Sequence, residues 1–182
     1  MSVLKIIKAI DERLKQKSIQ VTQFDQTLKN FANDMLETFF SSDACGLAST
    51  QVEDYKYFNY NKIQKGYRAQ PNLILVSEDA TETNMIIAVN PEIIENSEKT
   101  KKSLEGCLSI PNQSITIERF IEVTVKYQDL DGKEIIKTYS DMEAIIMQHE
   151  IDHLNGILMT DRLSAIKKET FWKNYKHNLN KI

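Results

Sequence analysis

Cysteine, glycine, proline and histidine are all scarce in this chain. Two cysteines, Cys45 and Cys107, in 182 residues cannot build a disulfide framework. The N-terminal stretch MSVLKIIKAIDERLK holds only a short apolar patch broken by lysine, which is neither a signal peptide nor an Arg-rich transit peptide. A reducing cytoplasm is therefore the expected compartment, where a cysteine is free to bind metal or react. No apolar run approaches the ~18 residues of a membrane-spanning helix. Glycine and proline number 5 and 3, and no low-complexity segment, internal repeat or interdomain linker appears. Neither sign of charge dominates: a net charge of −3 argues against a nucleic-acid partner, whose footprint would be strongly basic. What remains is the make-up of an ordinary globular chain, 41% apolar and 27% charged, expected to form a single domain over residues 1–182 around one sizeable core.

The hydrophobic pattern predicts the elements. Leu28, Phe31, Met35 and Phe39 recur at helical spacing across 25–40, with Asp25 as N-cap. The small residues of SSDACGLASTQ follow as a loop. LILV at 73–76 and MIIAV at 85–89 read as buried strands, the second stopped by Asn90-Pro91. Ile121, Val123, Val125 and Tyr127 alternate, and Asp131-Gly132 turns the chain into 134–138, a hairpin with one buried face. Ser140 and Glu143 match a capping box that opens a helix, and Gly156 suits its end. A last helix spans about 164–180, with Ile166, Trp172, Tyr175 and Leu179 along one face. Strands precede a late helix without regular βαβ alternation. The expected fold is α+β, with largely antiparallel sheets around a central helix, an N-terminal helix and a C-terminal helix.

That central helix carries QHEIDHLNG at 148–156. Residues four apart on a helix share a face, so His149 and His153 can grip one metal ion, with Glu150 placed to reach water on it. A hydrolytic site of this kind needs a third protein ligand and an open position. Downstream, Asp161, Glu169 and His177 are available but sit in no convincing context. Upstream, Cys107 lies in the glycine-bounded stretch LEGCLSIP, and a thiolate is a strong ligand for a borderline-soft ion. Asp152 points away from the 149/153 face and reads as a surface or supporting carboxylate. Cys45 reads as a packed loop residue near the groove and His177 as a solvated tail residue.

GLASTQ (46–51), EGCLS (105–109) and QHEIDH (148–153) together resemble the three ordered motifs of peptide deformylase, and the similarity extends over most of the chain through MLETFF, AVNPEII, Arg119 and DRLS. The resemblance implies a metal-binding central helix, with Cys107, His149 and His153 holding Fe(II), for which Zn(II), Ni(II) or Co(II) are possible substitutes. It implies Glu150 as general base and then acid, with Gln51 and the Leu108 backbone N–H binding the formyl oxygen. Substrate-binding positions would be Ala44, Cys45, Gly46 and Gly106, pairing with the peptide as an added strand. Glu105 and Arg119 would support the site, and we expect them to pair. The implied activity is hydrolysis of the N-formyl group from the N-terminal methionine of newly synthesised proteins, with release of formate. N-formyl-methionyl nascent peptides are then the partners, the lysine-rich tail is a candidate ribosome contact, and a monomer with no membrane partner is expected. The alternatives are an HExxH-type metalloendopeptidase and a non-catalytic deformylase-like peptide-binding domain.

Four departures from the family pattern bear on this. Ala44 stands where a glycine is usual, which strains the loop if that position needs positive φ. Ser49 replaces an alanine, Ser114 an arginine and Glu53 a small loop residue. Roughly residues 53–71 look inserted relative to the short bacterial type; with Tyr55, Tyr57, Phe58, Tyr60 and Tyr67 they read as a surface excursion or as a lid beside the groove.

Overall fold

Asp25 accepts hydrogen bonds from the Thr27 and Leu28 amides at 2.9 and 3.1 Å in the computed structural model, so helix α1 (Gln26–Phe40) begins where its cap predicts. The structure describes residues 2–53, 57–58, 63–64, 67–68 and 70–179. The cap satisfies two amides that the helix cannot, so Asp25→Ala should cost about 1 kcal/mol, read as a lower urea midpoint at unchanged m-value; Asp25→Asn should restore most of it.

The strands are β1 (Gly46–Ala48), β2 (Ile63–Gln64), β3 (Tyr67–Arg68), β4 (Leu73–Val76), β5 (Ile86–Asn96), β6 (Thr100–Cys107), β7 (Ile110–Phe120), β8 (Glu122–Gln128) and β9 (Glu134–Ser140). The main sheet has the order β1-β4-β5-β8-β9, with every neighbouring pair antiparallel. β6 and β7 form a separate long hairpin, and β2 and β3 a short one. The remaining helices are α2 (Asp141–Leu154) and α3 (Ala165–Leu179).

β4 explains why the core has two halves. Its side chains alternate across the sheet, and all four are fully buried. Leu73 and Leu75 pack with Phe31, Met35 and Phe39 of α1. Ile74 and Val76 pack with Val123, Val125, Met147 and Ile151 on the α2 side. A strand buried on both faces has to read as an unbroken apolar run, as LILV does. α2 is enclosed almost all round, with every residue from Ala144 to Leu154 buried, polar ones included. Gly156 follows it at φ +72°, and a Cβ there would press on the Lys15 backbone, so glycine is required twice over.

Five expectations need correction. The stretch 41–51 is not all loop, because Gly46–Ala48 forms β1 at the edge of the main sheet, and Cys45 beside it is exposed and not packed. Asn90-Pro91 does not end β5; the strand runs on to Asn96 through a register shift between Val89 and Glu92. Asn90 takes φ +53°, and its side chain donates to the Val21 carbonyl at 2.9 Å and accepts from the Val21 amide at 2.8 Å. A long-range partner thus stabilises a bulge that local sequence reads as a stop. Ser140 does occupy the N-cap of α2, but its side chain makes no capping hydrogen bond. In α3 the buried face is Phe171, Trp172 and Tyr175, which pack near Cys107, whereas Ile166 is 79% exposed. Ile166 sits about 120° around the helix from Trp172 and misses that face.

Two aromatics of the inserted segment reach α1. Tyr57 and Phe58 meet Phe31 of α1 edge-on, at centroid distances of 5.9 and 5.1 Å, and the Tyr57 hydroxyl donates to Asp34 at 2.7 Å. These two aromatics thicken the α1 side of the core. The side chains of Tyr55, Tyr60 and Tyr67 lie outside the described residues.

Candidate active site

α2 sets His149 and His153 one turn apart, with ring centroids separated by 5.0 Å. Cys107 comes from the end of β6, where the hairpin register breaks between Gly106 and Cys107 and the chain turns towards Ile110. The Cys107 Sγ lies 3.2 Å from His153 Nε2. One ligand atom from each of Cys107, His149 and His153 falls within 4.8 Å of the others. Glu105 and Cys107 are two apart on a strand and so share a face. Glu105 Oε2 holds His149 Nδ1 at 2.8 Å, which leaves Nε2 for the centre. Sulfur and two imidazole nitrogens at this separation suit a borderline-soft divalent ion.

The electrostatics agree. Burial pushes the Cys107 thiol up, but His153 and His149 draw it well below the usual thiol range, towards the thiolate. Burial likewise opposes the charge of His149, yet Cys107 and Glu105 hold its pKa well above the ordinary value. Burial would also raise Glu105, but Arg119 and His149 bring it to about 2. The expected Glu105–Arg119 pair forms as a fork: Nε and Nη2 donate to the two carboxylate oxygens at 2.8 and 2.9 Å. Arg119 Nη1 donates to Asp152 at 2.6 Å, and Arg162 donates to the same carboxylate, from Nε at 3.0 Å and also from Nη2. Charges of alternating sign thus run from His149 through Glu105, Arg119 and Asp152 to Arg162. Asp152 is buried on the side away from the histidine pair, as a supporting carboxylate should be.

Glu150 is 3% exposed, and its Oε2 has no hydrogen-bond partner among the described residues. Burial pushes its carboxyl up to about 7, against the pull of His149 and His153. Gly46 makes room for it. A Cβ on Gly46 would lie 2.7 Å from Glu150 Cδ and 2.8 Å from Cγ, so any larger residue displaces the carboxylate. The first motif therefore needs glycine here for space and not for positive φ.

Gln51 ends a 3-10 turn (Ser49–Gln51) and is buried. Its Oε1 accepts from the Ala48 amide at 2.8 Å, which turns its NH2 towards Ser109 Oγ at 3.3 Å and Cys107 Sγ at 3.5 Å. A groove of about 560 Å³ runs past these groups. Ala44, Cys45, Gly46 and Gln51 line one side, Glu105 to Leu108 another, and Met142, Ile145 and Ile146 of α2 add an apolar stretch beside His149 and Glu150. Ten of the twelve site residues expected from sequence line this groove; His153 joins through the ligand cluster, and Arg119 stands behind Glu105.

The departures are accommodated. Ala44 is buried and is not among the residues with positive φ, so its methyl costs no backbone strain. Ser49 donates to the Pro71 carbonyl and ties the first motif to the chain entering β4. Glu53 accepts from Arg13 at 2.7 Å and pairs with Lys5 at 3.4 Å, an outer brace away from the groove. Ser114 stands beside Gly106 in the hairpin and lines the groove wall. Sequence reasoning missed Ser109, Arg162 and Lys8. Ser109 lies inside EGCLS and Arg162 inside DRLS, but neither motif signals a role for that side chain, whereas Lys8 gave no local signal.

Residues 3–169 match the family model described as polypeptide deformylase. A peptide deformylase of Desulfotalea psychrophila is 35% identical over 97% of this chain and 96% of that protein. Peptide deformylase 1 of Rickettsia conorii is 38% identical over 100% and 99%. The crystal structure of a peptide deformylase from Legionella pneumophila superposes with a TM-score of 0.83 at 31% identity, covering 98% of this chain and 96% of that one.

Proposed function

This chain belongs to the peptide deformylase family, whose members remove the formyl group from N-terminal methionine, and from that premise we propose how its residues divide the reaction. One observation carries the assignment: three motifs far apart in sequence bring a thiolate, two imidazoles, a buried carboxyl and an amide donor onto one groove. Cys107, His149 and His153 hold the metal, and Fe(II) is the ion we assign, with Zn(II), Ni(II) or Co(II) as substitutes. When bound, such an ion acts as a Lewis acid for a carbonyl oxygen and brings the pKa of a water to about 7.

The chain's own groups supply the rest. Glu150 Oε2 takes a proton from water and returns it to the departing amine nitrogen; a carboxyl poised at about 7 suits both transfers. The Gln51 NH2, fixed by the Ala48 amide, and the Leu108 N–H receive the negative charge on the formyl oxygen. Glu105 and Arg119 fix the His149 ring. Gly46 and Gly106 let the peptide backbone approach, with Ala44 and Cys45 beside it. Met142, Ile145 and Ile146 offer the methionine side chain an apolar wall.

The substrate is a nascent N-formyl-methionyl peptide in the cytoplasm, met by a monomer whose exposed lysines on α3, Lys167, Lys173 and Lys176, support contact with the ribosome. No helix among the described residues is long and apolar enough to cross a membrane. A metalloendopeptidase of the HExxH type is not favoured, because the third ligand comes from upstream, on β6.

Fe(II)-loaded protein, prepared without oxygen, should release one formate per formyl-Met-Ala-Ser and leave Met-Ala-Ser intact. Cleavage inside the peptide without formate would overturn the assignment. The same assay after exchange into Zn(II), with metal content measured, tests the ion: activity that follows zinc and not iron would reject Fe(II).

A further inference from the structure

Lys8 lies a hundred residues from the second motif, yet its Nζ donates to the Leu108 carbonyl at 2.9 Å and its side chain lines the groove. The backbone on either side is anchored to the same machinery. The Ile7 amide donates to the Gln51 carbonyl at 2.8 Å, and the Ala9 amide to the Ser109 carbonyl at 2.6 Å. An exposed lysine normally sweeps a wide volume; this ammonium is held at the rim, in fixed relation to both groups that face the formyl oxygen.

Its charge is unusual for the groove. Among the described lining residues Lys8 is the one lysine or arginine, whereas the acids are Asp43, Glu105 and Glu150. Glu105 is already neutralised by Arg119, and Glu150 faces the reacting group. Lys8 has no carboxylate partner among the described residues, while nearby Lys5 and Arg13 both pair with Glu53. The carbonyl it holds takes one of its three N–H donors, leaving two for a ligand.

We propose that Lys8 is a specificity-determining residue of this groove, binding a carboxylate on the peptide beyond its formyl-methionine. The inference rests on the deformylase reading and adds a preference to it. The carboxylate can belong to an Asp or Glu side chain or to a short peptide's C-terminus, and both offer the same oxygens to the same ammonium. An ion pair at an exposed rim, with one partner already held, should favour the acidic peptide about three- to fivefold. Most of that preference should vanish near 1 M salt, where the screening length falls to about 3 Å.

Metal-loaded protein would be assayed on formyl-Met-Asp-Ser-amide against formyl-Met-Asn-Ser-amide, and on formyl-Met-Ala-Ser as free acid against its amide. The unmodified protein should show the higher kcat/KM for the acidic member of at least one pair, through KM, and the pair that responds identifies the carboxylate. Lys8→Arg should keep the ratio, Lys8→Gln should bring it to about 1, and Lys8→Glu should invert it. Loosening of the Leu108 loop would slow both members of a pair alike, so inversion separates charge recognition from structural damage. Ratios near 1 in the unmodified protein, or ratios indifferent to Lys8→Glu, would overturn the proposal. Absence of formate from every peptide would instead reject the deformylase reading beneath it.

Discussion

Glu150→Ala should retain the fold and the metal but lose about 10²–10⁴ in kcat/KM on formyl-Met-Ala-Ser, the usual worth of a positioned general acid–base. The side chain is buried beside His149 and His153, burial brings its carboxyl to about 7, and its Oε2 has no hydrogen-bond partner among the described residues. A carboxylate placed for structure would be spent on a neighbouring donor, as Glu105 is on Arg119. Truncation removes a side chain that packs on the Gly46 backbone, so the variant gains space and no clash. Metal analysis and circular dichroism establish that the variant is intact, and formate release then gives the loss. Glu150→Gln keeps the volume but cannot take a proton, and it should fall as far. An intact, metal-loaded Glu150→Ala protein with more than a tenth of the parent activity would move the proton transfer to another group.

The same local crowding shows why part of this site was legible in the sequence. His149, Glu150 and His153 lie within one helical turn, and helical spacing alone places both rings on a face. Glu105 and Cys107 are joined by strand alternation in the same way. The apolar run of β4 and the stripe of α1 gave the two halves of the core, because burial on a face leaves its period in the chain. What sequence hid depends on partners remote in the chain. Asn90 reads as a stop until Val21 arrives to satisfy its side chain. Ala44 looks strained until its backbone is seen to avoid positive φ. Ile166 looks like core until α3 docks through Phe171, Trp172 and Tyr175. Lys8 carries no local mark at all, since its meaning comes from a carbonyl a hundred positions on.

Arg119→Met should be the most damaging substitution away from the proposed ligands Cys107, His149 and His153. Arg119 is 3% exposed and forks onto Glu105 while bonding Asp152, so its loss takes a cationic partner from each of two buried carboxylates. Breaking a buried pair from one side costs about 3–5 kcal/mol, because the remaining charge keeps its desolvation penalty. Asp152 retains Arg162, and Glu105 retains His149, which places the expected loss towards the lower end of that range. Chemical denaturation should show it as a lower midpoint at unchanged slope. A second effect follows from geometry: Glu105 fixes the His149 ring, and loosening such an outer partner typically lowers metal affinity about 10–100-fold. Arg119→Lys should recover little, since one ammonium cannot reproduce a fork on Glu105 and a third bond to Asp152 together. Adding Glu105→Gln to Arg119→Met removes the stranded charge and should restore part of the stability while leaving metal affinity low. Stability that falls equally in the single and double variants would mean that Arg119 acts through packing of its stem and not through the charges it joins.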